Sequence, residues 1–571
     1  MTGEGGDNGT LRRLVLASLV LLLALLALGL GQPNNLARVL MMLHDRWLVM
    51  AMSAALLVLL LAAAPLGRVG RGLLERFGWH HALGLGLAVA LAGYAGHSAL
   101  LGGYDLSRDE QMANFDAWIF AHGRLAWPLP PAWQGNAAAL NLLFTPPVNH
   151  PVAWMSAYLP VNAAIRALFS LAGDAALAGP LLNLASVLLV WLVARRLWPT
   201  ERASAAVACL LLALSGQVVV AGMSAYAMPA HLAANLGWLA LFLAGTRRGD
   251  AGAIAIGALA TGLHQPVFHP LFAGPFILLL AWRREWARFA TYAASYAAIA
   301  LFWLLWPGWV TPLAMGPHSS LDPQVAGYLS RIRWLLGANS DHLAMMAANL
   351  LRLFTWQHLL FVPLLLAGLG AARRDPFATA LVATLVLPLA FFALLMPFQG
   401  HGFGYRYLHG ALVSAVLLAT MGWRRLAGAD ARWHGWFATA SLASLGLLAM
   451  QANFAHRLYA PYATLDARIA TSGADYAIIA EEDAPLVLDL VVNRPDLGNR
   501  PLRLVDGEID DADLLAARLC PGGHSVALPA GSFYRPVEGL FGVAPTGHAD
   551  ARLGETAKAF ADAGCRVTVL R

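Results

Sequence analysis

Charge is scarce in this chain: 12% of its 571 residues are Asp, Glu, Lys or Arg. Lysine is nearly missing, with Lys558 alone, so the net charge of +6 is carried by arginine. Those arginines sit in short clusters between apolar runs and form no continuous basic stripe, so no nucleic-acid partner is expected. Cysteine is limited to Cys209, Cys520 and Cys565, and no CxxC spacing occurs. That removes zinc-finger and dithiol-redox readings and predicts no metal site. HExxH, GxSxG and GxxxxGKS are also absent, so metalloprotease, α/β-hydrolase and P-loop chemistry have no support. No cofactor is expected from the motifs, and a divalent cation is left open.

Apolar sequence, by contrast, is abundant. Hydrophobic residues make up 59% and the mean hydropathy is +0.60, far above a soluble globular chain. Runs of spanning length recur through the first 455 residues and predict a polytopic all-α membrane protein. The spans fall at 14–30, 48–66, 82–102, 176–195, 203–222, 230–246, 251–264, 268–282, 289–310, 356–372, 377–397, 408–423 and 433–452. Arg12-Arg13, Arg195-Arg196, Arg247-Arg248, Arg373-Arg374 and Arg424-Arg425 all fall on one side of that arrangement. The positive-inside rule makes that side cytoplasmic and selects about thirteen spans. Loops 103–175 and 311–355 and the C-terminus then lie outside the cytoplasm. Residues 152–171 are apolar but would invert every later loop if they crossed, so they read as a helix lying along the membrane surface. Spans 251–264 and 268–282 are short and flank Pro266 and Pro270, which suits backbone lining a protein-enclosed cavity or an ordinary tight turn.

From about 456 the pattern changes to short alternating runs (YAIIAEE, PLVLDLVV, HSVALP, CRVTVLR) with helical stretches between them. This predicts a small soluble α/β or α+β domain without a nucleotide-binding or nucleophile motif. Its Glu481-Glu482-Asp483 run reads as a solvated turn. Cys520 and Cys565 both fall here, and whether they pair is left open.

The groups able to do chemistry gather at the outer ends of spans. Asp105, Asp109, Glu110 and Asp116 crowd the start of the first loop, and His122, Asn149 and His150 follow. Ser224, Tyr226 and His231, then His264, Gln265 and His269, flank later outer turns. The segment FQGHGFGYRYLHG adds His401, Tyr405, Arg406, Tyr407 and His409. Single His and Tyr residues at span ends are more often interfacial anchors than ligands, and Asp116 reads as a solvated or capping residue. The Asp109-Glu110 pair stands out because paired acids just past a span are costly. Arg406, set among glycines and aromatics, suits either a lipid phosphate or a snorkelling role.

The stretch from GGYDLSRDEQMANFDAWIFAHGRLAWP to TPPVNHPVAWMSAYLP resembles the first outer loop of the GT-C membrane glycosyltransferases. Bacterial members related to the protein O-mannosyltransferases and the lipid A aminoarabinose transferase share that arrangement. LAGPLLNLASVLLVWLVARRLWP and HGFGYRYLHG are similar to a core span and a late loop of the same group. HPV stands where PPL is commoner, and two spans precede the family's usual first one. The resemblance implies a GT-C-like core at 81–455, preceded by an N-terminal segment at 1–80 with two extra spans. An extracytoplasmic α/β domain at 456–571 follows. It implies transfer of a sugar from a polyprenyl-phosphate-type donor to a glycan, lipid or protein acceptor. Asp109 would be the base with Glu110 beside it, and Arg406, His401, Tyr405, His409, His264, His269 and His150 would bind substrate. The setting implied is a bacterial inner membrane, with membrane lipids as further partners. A flippase of lipid-linked saccharides and a non-catalytic member of the same fold are the competing readings.

Overall fold

The computed structural model describes residues 8–31, 35–61, 67–321, 342–481, 483–509, 511–542 and 547–571. Asp322, Arg331, Arg333 and Asp341 of the second expected outer loop lie outside them, as does Glu482. Among the described residues seven helices are long and apolar enough to cross a membrane: Gly9–Gly29, Leu36–Leu61, Trp79–Ala99, Ala175–Leu197, Trp286–Ala314, Pro376–Leu395 and Trp433–Ala470. The other six expected spans are helical too, but shorter, broken or ended by arginines. Residues 203–222 form two helices, Arg202–Ala213 and Gly216–Ala221, because Ser215 caps the second by accepting from Val218 N. Met228–Phe242, Arg247–Thr261 and Phe268–Trp282 have 15 residues each. Phe361–Leu369 has nine, and Leu412–Ala429 carries Arg424 and Arg425. The protein is therefore a polytopic helical membrane protein.

The chain forms two compact units. The first comprises Met1–Gly96, Ala176–Leu304 and Leu329–Phe454. Its helices approach at small residues, the usual solution where lipid removes the hydrophobic driving force between helices. A Cβ on Gly368 would lie 1.9 Å from Leu418 O, and one on Gly422 2.1 Å from Leu364 O. Only glycine lets Phe361–Leu369 and Leu412–Ala429 come that close. The span from Leu36 to Leu61 contains a π-helical turn, Met41–Asp45, carrying the buried His44 and Asp45.

The second unit comprises His97–Ala175, Leu305–Tyr328 and Ala455–Arg571. It contains a parallel sheet of β1 (Tyr476–Ile479), β2 (Leu502–Val505), β3 (Ser525–Pro529) and β4 (Arg566–Leu570), in the order β2-β1-β3-β4. The register pairs Tyr476 with Leu502 and Val526, and Val526 with Val567. Leu504, Val526 and Phe560 share one apolar cluster with Met112 and Ile119 of the Arg108–Ala121 helix. A disulfide joins Cys520, after the Ala512–Leu519 helix, to Cys565, just before β4. Residues 152–171 are helical only over Val161–Leu171, while Ala153–Trp154 pairs in extended form with Trp127–Pro128. Proline at 151 and 160 brackets that extended piece, which keeps its neighbours out of helical geometry.

Candidate functional site

Each unit carries its own polar cluster. In the second, the Arg108–Ala121 helix begins with a capping box. Ser107 Oγ accepts from Glu110 N at 3.3 Å, and Ser107 N donates to Glu110 Oε2 at 2.9 Å. Tyr459 O–H also donates to Oε2, at 2.9 Å. Glu110 is wholly buried, and burial, reinforced by the charge of Asp105, pushes its carboxyl up to about 8 against those hydrogen bonds. The sequence SRDE thus places one acid as a structural cap, with both acids in the first turn where the helix dipole favours them. Asp109 is half-buried and accepts from the Tyr158 hydroxyl. Of the pair, it alone keeps some exposure to solvent.

Asp116 is buried rather than solvated: it accepts from Ser156 N at 2.8 Å, and burial raises its carboxyl to about 7. Asp105 accepts from Asn114, whose Oδ1 in turn accepts from buried Arg166 at 2.7 Å. Arg108 is pinned by the carbonyls of Asn141 at 2.6 Å and Leu143 at 3.1 Å. His150 is exposed, in left-handed backbone at φ 52°, with its carbonyl accepting from Ser319 Oγ at 2.7 Å. His122 is exposed and stacks on Trp118, with ring centroids 3.8 Å apart.

In the first unit the loop before the Arg406–Ala411 turn folds around Gln399. Gly400, Gly402 and Gly404 all take positive φ, and a Cβ on Gly404 would meet Gln217 Oε1 at 2.2 Å. Gln399 Oε1 accepts from Arg406 N at 2.9 Å, and its main-chain oxygen accepts from Arg406 Nε. The buried guanidinium lies over the rings of Tyr226 and Tyr407, at 5.1 and 5.3 Å. It lines a recess together with Tyr407, His231, His409, Asn235 and Phe268. The free space there is about 10 Å³, room for roughly one water-sized group.

Of the histidines expected to bind substrate, the structure brings only His409 onto that recess. His269 is fully buried with both ring nitrogens engaged, by Asn235 Oδ1 and Tyr296 Oη at 2.7 Å each. His264 is half-buried with its ring 6.0 Å from that of Phe268. His401 and Tyr405 are buried, and Tyr405 O accepts from Gln217 Nε2 at 3.0 Å. His150 belongs to the other unit.

One buried ion pair escaped the sequence reading. Arg352 Nε lies 3.3 Å from Asp45 Oδ2, Trp356 Nε1 donates to Asp45 Oδ1 at 3.3 Å, and Arg352 Nη2 donates to Gly402 O. In the sequence Asp45 was visible as an acid just before the 48–66 run, beside Arg46. Its partner, 307 positions later, was not. Among the described residues no group of three metal-ligating side chains converges.

Fold and clusters together define a polytopic membrane protein with an arginine–histidine recess in one unit and a carboxylate-headed helix in the other. No family model matches the chain, and no curated protein does. Among solved structures it is similar to ArnT from Cupriavidus metallidurans bound to undecaprenyl phosphate, at 15% identity and a TM-score of 0.46. That match covers 72% of this chain and 84% of the other. ArnT from the same source in the apo state is similar at 15% identity, covering 82% and 90%, with a TM-score of 0.45.

Proposed function

We propose that this protein is a membrane-embedded glycosyltransferase, taking a sugar from a polyprenyl-phosphate-type lipid and passing it to an acceptor outside the cytoplasm. The observation that carries the reading is Arg406. Its guanidinium is fixed by Gln399 and two tyrosine rings on the wall of a recess whose apolar side is formed by Met228, Phe268, Phe272 and Pro388. A ligand that joins a phosphate to a long apolar tail needs that combination of cation and apolar wall. The Cys520–Cys565 disulfide supports an oxidising compartment for the second unit.

The reaction assigned to these residues forms a bond between the acceptor oxygen and the anomeric carbon. The bond from that carbon to the phosphate oxygen breaks, and its electron pair leaves with the lipid phosphate. Asp109 is assigned as the base that takes the acceptor's proton. Glu110, closed into the cap, supports the turn that presents Asp109.

The test is release of polyprenyl phosphate from a panel of polyprenyl-phosphate sugars by the purified protein. Asp109→Asn should lower the rate by about 10²–10⁴, roughly 3–5 kcal/mol of transition-state stabilisation, with donor binding little changed. Arg406→Ala should weaken donor binding instead. Full turnover by Asp109→Asn would remove the base assignment. Movement of lipid-linked saccharide across vesicles without turnover would replace the enzyme by a flippase.

A further inference from the structure

Three ring nitrogens at the recess have no hydrogen-bond partner in the protein: Nδ1 and Nε2 of His231 and Nε2 of His409. Both residues are almost wholly buried, at 3% and 1% exposure. Buried polar atoms are nearly always paired, and leaving one unpaired is expensive. The recess is therefore built to hold a polar group.

Its chemistry follows from the neighbours. Gln217 uses its amide oxygen to accept from Gln357 Nε2 at 3.0 Å, which turns its Nε2 toward Tyr405 O at 3.0 Å and His409 Nδ1 at 3.4 Å. His409 Nδ1 is then the acceptor, so the proton of its neutral ring sits on Nε2 and points a donor at the recess. Arg406 adds a guanidinium, which can only donate. His231, with both nitrogens open, supplies one donor and one lone pair. A group satisfying all of these offers acceptor oxygens together with a hydroxyl of its own. The free space admits one oxygen-sized group, which is the size of that hydroxyl.

We propose that His231 and His409 form a subsite for the P–OH of a phosphate monoester, so that beside Arg406 the recess prefers a lipid monophosphate over a phosphodiester. This rests on the lipid-phosphate reading of Arg406 and makes the recess hold the released carrier more tightly than the sugar donor. A phosphodiester offers acceptors only and leaves the His231 lone pair unmet. A monoester monoanion carries the same single charge plus the missing donor.

Farnesyl phosphate and farnesyl methyl phosphate test this at pH 6.0, with binding to the detergent-solubilised full chain followed by calorimetry. At that pH about half of the monoester is the monoanion, since its second ionisation lies near 6. We expect the monoester to bind about tenfold more tightly, the fold-change of one charge-assisted hydrogen bond. His231→Phe should abolish the preference, and His231→Gln, which keeps a donor and an acceptor, should retain part of it. Equal affinities for the two lipids in the unmodified protein overturn the proposal, as when a single water fills the recess. A preference that survives His231→Phe overturns it as well. Failure of both compounds to bind overturns the lipid-phosphate reading itself, and this subsite with it.

Discussion

In the second unit Ser107, Glu110 and Tyr459 close on one another, whereas in the first His231 and His409 face a recess with no protein partner. The first arrangement commits Glu110 Oε2 twice within the chain and leaves Oε1 of that carboxyl without a partner, whereas the second leaves three ring nitrogens unspent. The difference separates two uses of buried polarity. A closed network specifies a local structure, and its loss shows in stability. An open one is completed by a ligand, and its loss shows in binding. Adjacent residues can fall on opposite sides of that line, as Glu110 and Asp109 do.

If the second unit is held by closed devices, its strongest one should dominate. The Cys520–Cys565 bond spans 45 residues, for which loop-closure entropy gives about 4 kcal/mol of stabilisation. Cys520→Ser should therefore speed hydrogen exchange at β3 and β4 markedly while leaving exchange in the Met228–Phe242 helix unchanged. Unchanged protection of both strands would show that the sheet does not depend on the crosslink.

The first unit should respond instead to crowding of its helix contacts. Gly422→Ala places a methyl against Leu364 O, where the backbones already touch. A cost of about 1–3 kcal/mol is expected from overpacking, read as a lower melting temperature in detergent. A neutral substitution would mean the two helices stand further apart.

Much of this was legible in the sequence, though unevenly. The apolar runs coincide with helical segments because length and hydropathy mark them, although among the described residues seven of those helices are long and apolar enough to cross a membrane. The end of the last helix was not legible. Composition changes near 456, yet Trp433–Ala470 continues for 38 residues straight through Pro461, a stop signal the structure overrides, and ends just before Ser472-Gly473. The acid run at 481–483 read as a solvated turn, but Asp483 is fully buried and accepts from Ala549 N at 3.0 Å, a partner 66 positions away. Asp109 and Arg406 could be singled out by residue type and setting. The capping role of Glu110 was equally available in the SRDE spacing, but the acid pair drew the functional reading for both residues. Which histidines are saturated, like His269, and which stay open, like His231, depends on long-range partners such as Tyr296 and Gln217 that no local pattern reveals.

The smallest effect at neutral pH, and the sharpest on the closed network, belongs to Glu110→Gln. Glutamine has nearly the shape of the protonated acid and keeps an oxygen for Ser107 N and the Tyr459 hydroxyl, so at pH 7 the variant should differ by less than about 1 kcal/mol. The pH profile should differ more. Burial and the Asp105 charge raise the folded-state carboxyl from 4.5 to about 8. The folded state then holds a proton that the unfolded chain releases near 4.5. The stability Glu110 contributes is fully present below that value, declines as the pH rises, and is gone once the pH passes about 8. Asp116, raised to about 7 by burial, adds a decline of the same sign, and it remains in the variant. Subtracting the two profiles therefore isolates Glu110. Melting temperatures from pH 5 to 9 should fall more steeply for the natural protein than for Glu110→Gln, with the variant the more stable at pH 9. Parallel profiles would mean that Glu110 is ionised in the folded protein, and the cap would then be an open, charged site like the one it was contrasted with.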